Sequence, residues 1–131
     1  MFVDSLLSDD PNECIEGRHE WHRIQQAIER LDGRMLTEVS IAKRGTESHM
    51  SISGGGGVYL VSATLDNDVF FDLRNPLGDP TVKTRVVSGG QAVTVGMDEA
   101  VDCEIALQIA KAFAESGVID STQIWLRTPP N

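Results

Sequence analysis

Two histidines three positions apart, His19 and His22, could share a metal ion if they lay on one face of a helix. The zinc-protease spacing is HExxH, which His19-Glu20-Trp21-His22 is not, and the remaining histidine is His49. Solvated helix residues are therefore expected, with no metal site and no cofactor. Gly54-Gly55-Gly56-Gly57 invites comparison with a phosphate-binding loop, but such a loop leaves a strand and opens a helix. Here the glycines run into a strand-like stretch and no Gly-Lys follows, so a hairpin connection is expected. Cys103 stands where a first helical turn could activate a thiol, although small filler beside the core is the commoner role. No GxSxG elbow accompanies it. The residues suggest no nucleophile–base pair and hence no enzyme.

The acids are more informative. The 131 residues carry 20 acidic against 11 basic side chains, a net charge of −9. That balance disfavours nucleic acid and anionic membranes, which are bound through clustered Lys and Arg, and favours a basic protein partner. Asp66, Asp68 and Asp72 surround one turn and Asp79 follows in the next loop, with Arg74 the only base among them. On loops that need no charge for folding, the four are expected to share one end of a sheet and form the binding surface. Asp98, Glu99, Asp102 and Glu104 form an alternative acidic face, in which Asp102 is also expected to cap a helix.

At 40% hydrophobic residues the chain is long enough for one domain with its own core. Cys14 and Cys103 form no disulfide framework, and the first residues lack the basic lead of a secretory signal. A cytoplasmic protein, monomeric or weakly dimeric, is expected.

The elements follow from apolar spacing. Trp21, Ile24, Ala27 or Ile28 and Leu31 predict a helix over Arg18–Leu31, stopped at Gly33. Met35, Thr37, Val39 and Ile41 predict one face of a strand, and Met50 and Ile52 the inward face of another at Ser48–Ser53. Val58–Leu65 and Val69–Leu73 read as a hairpin across Asp66-Asn67-Asp68, and Thr81–Val87 with Gln91–Val95 as a second. Asp102 begins a helix at Cys103–Ser116 that Gly117 ends, and Gln123–Arg127 is a last strand. Residues 1–17 give no clear pattern. The expected fold is α+β, with an antiparallel sheet of five or six strands and both helices on one face. Val39, Ile41, Leu60, Phe71, Ile105, Ile109, Phe113 and Trp125 should be buried.

The stretch Asp98-Glu99-Ala100-Val101-Asp102-Cys103-Glu104-Ile105-Ala106-Leu107, followed by Ala112-Phe113, Ser116-Gly117 and Ile124-Trp125, resembles the closing signature of immunity protein family one of bacterial polymorphic toxin systems. The glycine turn, the strand Val58-Tyr59-Leu60-Val61-Ser62 and the acidic turn after it fit the same pattern, which extends over roughly residues 35–127. The Asn75–Pro80 loop and residues 1–17 fall outside it.

The resemblance implies a non-enzymatic antitoxin that stays in the cytoplasm and binds a cognate toxin domain, commonly a nuclease or nucleic-acid deaminase, to block its active site. An active site that handles nucleic acid is electropositive, so an acidic inhibitor is its natural complement. The competing expectation is a small-ligand-binding or enzymatic domain that uses the sheet as a pocket wall.

Overall fold

The computed structural model describes residues 1–10, 15–16 and 20–130. Cys14, the start of the expected first helix at Arg18, and His19 lie outside the described residues. In chain order the elements are β1 (Ser5–Ser8), β2 (Ile15–Glu16), α1 (Trp21–Glu29), β3 (Glu38–Ala42), β4 (His49–Gly55), β5 (Val58–Thr64), β6 (Phe70–Arg74), β7 (Lys83–Ser88), β8 (Gln91–Gly96), α2 (Cys103–Ser116) and β9 (Ile124–Thr128), with a short 3-10 turn at Met97–Glu99 before α2. The fold is α+β. Its main sheet has the order β2-β1-β3-β4-β5-β6-β9, antiparallel throughout, with β2 only two residues long. β7 and β8 form a separate two-stranded ribbon.

Strand alternation divides the sheet into two chemically different faces. Val39 and Ile41, Met50 and Ile52, Tyr59, Val61 and Ala63, and Leu73 are all buried against the helices. From the helices come Ile24, Ala27 and Ile28 of α1 and Ala106, Ile109, Ala110 and Phe113 of α2. The α2 boundaries have local causes: the Asp102 carboxylate accepts the Ile105 N–H at 2.9 Å, and Gly117 closes the helix in the left-handed conformation, φ 69°. Its C-terminal end is also satisfied from afar, because the Phe2 and Val3 N–H groups both donate to the Ala114 carbonyl. The Phe2 ring meets Phe113 edge-on at 5.8 Å.

Several expectations are corrected. β1, unrecognised in the sequence, lies inside the sheet between β2 and β3 and buries Leu6 completely. Met35 is 81% exposed, because the strand begins only at Glu38. The preceding segment is wrapped around Asp32, whose carboxylate accepts the N–H groups of Arg34, Met35 and Leu36 at 2.8, 2.9 and 3.1 Å. Leu60 is half-buried rather than buried: with Tyr59 and Val61 turned to the helices, the alternation sends it to the opposite face. Phe71 and Trp125 are half-buried on the outer strands β6 and β9, and Ile105 is half-buried in the first turn of α2. Of the eight expected core residues, Val39, Ile41, Ile109 and Phe113 are fully enclosed.

The glycine string is indeed a hairpin connection, but only Gly56 and Gly57 form its two-residue turn, at φ 65° and 94°. Gly54 and Gly55 belong to β4, and Gly55 is where the end of α1 presses on the sheet. A Cβ there would lie 2.5 Å from the Gly33 nitrogen and 2.6 Å from that of Asp32. Gly57 has open space around it. Gly57→Ala should therefore cost only the backbone strain, about 1–3 kcal/mol, whereas Gly55→Ala should cost distinctly more; equal losses in chemical denaturation would contradict the close approach. Phe113→Ala should cost about 3–5 kcal/mol in the same measurement, as deletion of a fully buried aromatic does.

Candidate functional site

The face turned away from the helices carries a row of small polar residues at its centre. Ser40 pairs with Ser51, Ser51 with Ser62, Ser62 with Asp72 and Asp72 with Leu126, a single row across five strands. Cross-strand partners share a face, so the hydroxyls line up towards the Asp72 carboxylate.

The β7–β8 ribbon lies over this face at β4 and β5. Its buried Val86 packs against Gly54, where a larger residue would not fit. At the ribbon tip the Gly90 N–H donates to the Thr37 hydroxyl at 2.9 Å, and that hydroxyl donates in turn to Asp9. The Asp9 carboxylate also accepts the Thr37 N–H at 2.8 Å. This anchor holds the ribbon above the sheet and leaves a cleft of about 280 Å³ between them.

Ser53, Ser62 and Ser88 contribute hydroxyls to the cleft, and Asp72, Arg74 and Glu99 contribute charges. Glu99 is already committed: one carboxylate oxygen accepts the Gly96 N–H at 2.8 Å and the other lies 3.8 Å from Arg74. The Asp72 carboxylate has no hydrogen-bond or ion-pair partner among the described residues. Ser53 is only 6% exposed, and its hydroxyl likewise finds no protein partner there. A buried hydroxyl without a partner is costly, which makes it a ready acceptor or donor for a group entering the cleft.

The structure separates the four sequence-predicted acids. Asp66 and Asp68 lie before β6 and Asp79 lies beyond its far end, so the four do not share one end of the sheet. Nor are these loops indifferent to charge. Asp66 accepts the N–H groups of Val69 and Asp68, both at 2.9 Å, in a connection that runs over residues 65–69 rather than three. Asp79 accepts the Thr81 hydroxyl at 2.7 Å and its N–H at 2.9 Å. These bonds hold both carboxyls below the ordinary value of 3.8. Asp68 is exposed and Asp72 half-buried, and neither side chain has a fold-internal partner among the described residues. In the alternative face, Asp102 is the α2 cap and Glu99 is tied as above, while Glu104 is exposed in the first turn of α2. The Asp98 carbonyl accepts the Asn75 N–H, which fixes the loop after β6.

Beside the cleft, the part of the polar face that the ribbon does not cover carries exposed apolar side chains: Phe70 at 39%, Leu126 at 48% and Ile124 at 55%. Sequence reading did not single out Ser53, Ser62, Ser88 or Arg74. The available signal was a serine at an outward position in each of three successive strands, Ser40, Ser51 with Ser53, and Ser62, which marks a face outside the apolar core.

The remaining chemistry is modest. His22 and Glu20 approach to 3.2 Å on an exposed surface, and His49 contacts the Glu47 carbonyl. Among the described residues, no group of three or more His, Cys, Asp or Glu is placed to hold a metal ion. Cys103 is half-buried against the core, and burial, followed by its hydrogen bond with Cys103, pushes the Tyr59 hydroxyl up to about 12. No described helix is long and apolar enough to cross a membrane. No protein-family model matches the chain, and no curated protein matches it.

The lowered carboxyls have a consequence for stability. A group whose folded value lies below its unfolded one stabilises the fold above the unfolded value and loses that contribution as pH falls through the folded one. For Asp66 and Asp79 the window lies below about pH 4. Asp66→Asn and Asp79→Asn, which can keep the turn-capping oxygen, should each flatten the loss of stability in acid. Unfolding midpoints measured across that range will check it, and unchanged profiles would contradict a structural role for these charges.

Proposed function

We propose that this chain is an immunity protein: it binds a cognate toxin domain, a nuclease or nucleic-acid deaminase, and blocks its active site with an acidic surface in the bacterial cytoplasm. The observation that carries the reading is the uncovered part of the polar sheet face. There the exposed Phe70, Ile124 and Leu126 adjoin Asp68 and Asp72, two carboxylates with no fold-internal partner among the described residues. Apolar anchors beside charge left unused by the fold suit a protein interface with a basic partner. The net charge of −9 extends the same complementarity over the whole surface. Two such chains repel each other, which favours a foreign basic partner over a second copy.

The competing small-ligand reading has less support. The cleft of about 280 Å³ and two other clefts of about 310 and 360 Å³ all sit at the bottom of the usual range for ligand pockets, about 300–1,000 Å³. The lining of the cleft beneath the ribbon mixes Leu60, Val61, Leu73 and Val95 with three serines, two carboxylates and an arginine, which suits a charged side chain better than a largely apolar metabolite. In this reading the chain carries out no chemistry, and inhibition follows from occupying the toxin's active site.

Co-expression with the product of the adjacent gene tests the proposal. The expected result is relief of growth arrest and a one-to-one complex whose association slows as salt rises. A neighbouring product that is not toxic, or a toxicity left unchanged with no complex formed, would overturn it.

A further inference from the structure

We infer that the cleft beneath the β7–β8 ribbon is a socket for one arginine side chain presented by the basic partner, with Asp72 as its anionic contact; this rests on the reading of the chain as a binder of a basic protein. Three observations converge on it. The Asp72 carboxylate stands in the cleft without a partner among the described residues, while the other cleft carboxylate, Glu99, is taken up by the Gly96 N–H and Arg74. The Ser53 hydroxyl is nearly enclosed, equally unpartnered, and lines the same cleft. Ser62 and Ser88 add hydroxyls from the sheet and from the ribbon, so oxygens surround the space on both sides.

A guanidinium matches that arrangement better than an ammonium. It carries five donors in a planar fork, able to meet a carboxylate and flanking hydroxyls together, and it sheds water more readily. An anion is disfavoured, because Arg74, the cationic residue lining the cleft, is held next to Glu99. Leu60, half-buried on the same wall, offers an apolar surface to the methylene stem. Phe70 and Leu126 lie outside the mouth, where the rest of the partner would rest. An arginine whose charge is met in a cleft and whose surroundings make apolar contacts is a common form of interface hot spot.

The test is an amide NMR titration of the whole chain at low salt with N-acetylarginine amide, and in parallel with N-acetylcitrulline amide, its neutral counterpart. Saturable shifts at Ser53, Ser62 and Ser88 are expected with the arginine probe, at least tenfold tighter than with citrulline. Asp72→Asn should weaken that binding tenfold or more while Asp68→Asn leaves it unchanged. Ser62→Val, which preserves strand preference, should also weaken it, and thermal melts of each variant check that the fold is kept. Equal binding of the two probes, an Asp72→Asn variant that binds like the wild type, or shifts spread over the Asp66–Asp68 turn instead of the cleft would overturn the socket. Toxin neutralisation without cleft binding would leave the immunity reading in place and remove the socket. Cleft binding without neutralisation would do the reverse.

Discussion

The Thr37 hydroxyl holds the two layers of the polar face together. Thr37 is buried, donates to Asp9 at the end of β1, accepts the N–H of Gly90 at the ribbon tip, and through its own carbonyl receives the Gly54 N–H. A buried polar group is tolerated only when its hydrogen bonds are made, and here making them requires three distant segments to meet at one point. The rest of the ribbon is lightly held: Val86 is buried on Gly54, outside the main core, and most of β8 is exposed. The Thr37 junction fixes the ribbon tip, while Val86 against Gly54 and the Gly96 N–H on Glu99 fix its middle and base.

The acidic residues divide by whether the fold uses them. Asp32, Asp66, Asp79, Asp102 and Asp120 each accept backbone N–H groups at a turn or helix start, so their charge is part of the local geometry. Asp68 and Asp72 have no such duty. A carboxylate that stabilises a turn is partly neutralised by its donors and offers less to a partner, whereas a free one keeps its full attraction. The negative charge of the chain is thus an upper bound on the charge available for recognition, and the surface that matters is smaller and more localised than the composition suggests.

How much was legible in the sequence depended on whether the cause was local. Helix α2 carries its cap, its stripe and its stop within one stretch, from Asp102 to Gly117, and its boundaries agree with the structure. The four hairpin strands from Lys83 to Gly96 and from Val58 to Arg74 were equally plain, because turn residues and alternation lie side by side. β1 was not, since four residues with Leu7 facing outward gain their identity only by pairing with β3. The inward face of β5 was misassigned at Leu60 because a run apolar on both faces leaves register to its neighbours. The cleft was invisible for a deeper reason. It exists between two sheets whose superposition is set by Thr37 and Gly90, and nothing in either stretch announces the other. Asp72 was noticed as one acid among four, but its lack of a partner is a property of the assembled face.

The sheet is also completed out of order. β6 pairs with β5 across a nearby turn, but its other edge is covered only by β9, after the ribbon and α2 have intervened, with Arg74 pairing to Ile124 and Phe70 to Thr128. As the chain leaves the ribosome, β3, β4, β5 and β6 can zip together by nearby turns, while the outer edge of β6, a strand with two adjacent phenylalanines, stays open until β9 follows. Such an unsatisfied aromatic edge is a template for pairing with other nascent chains. Until β9 arrives, the outer edge of β6 is therefore open to pairing with another strand, and the last residues of the chain are what close it.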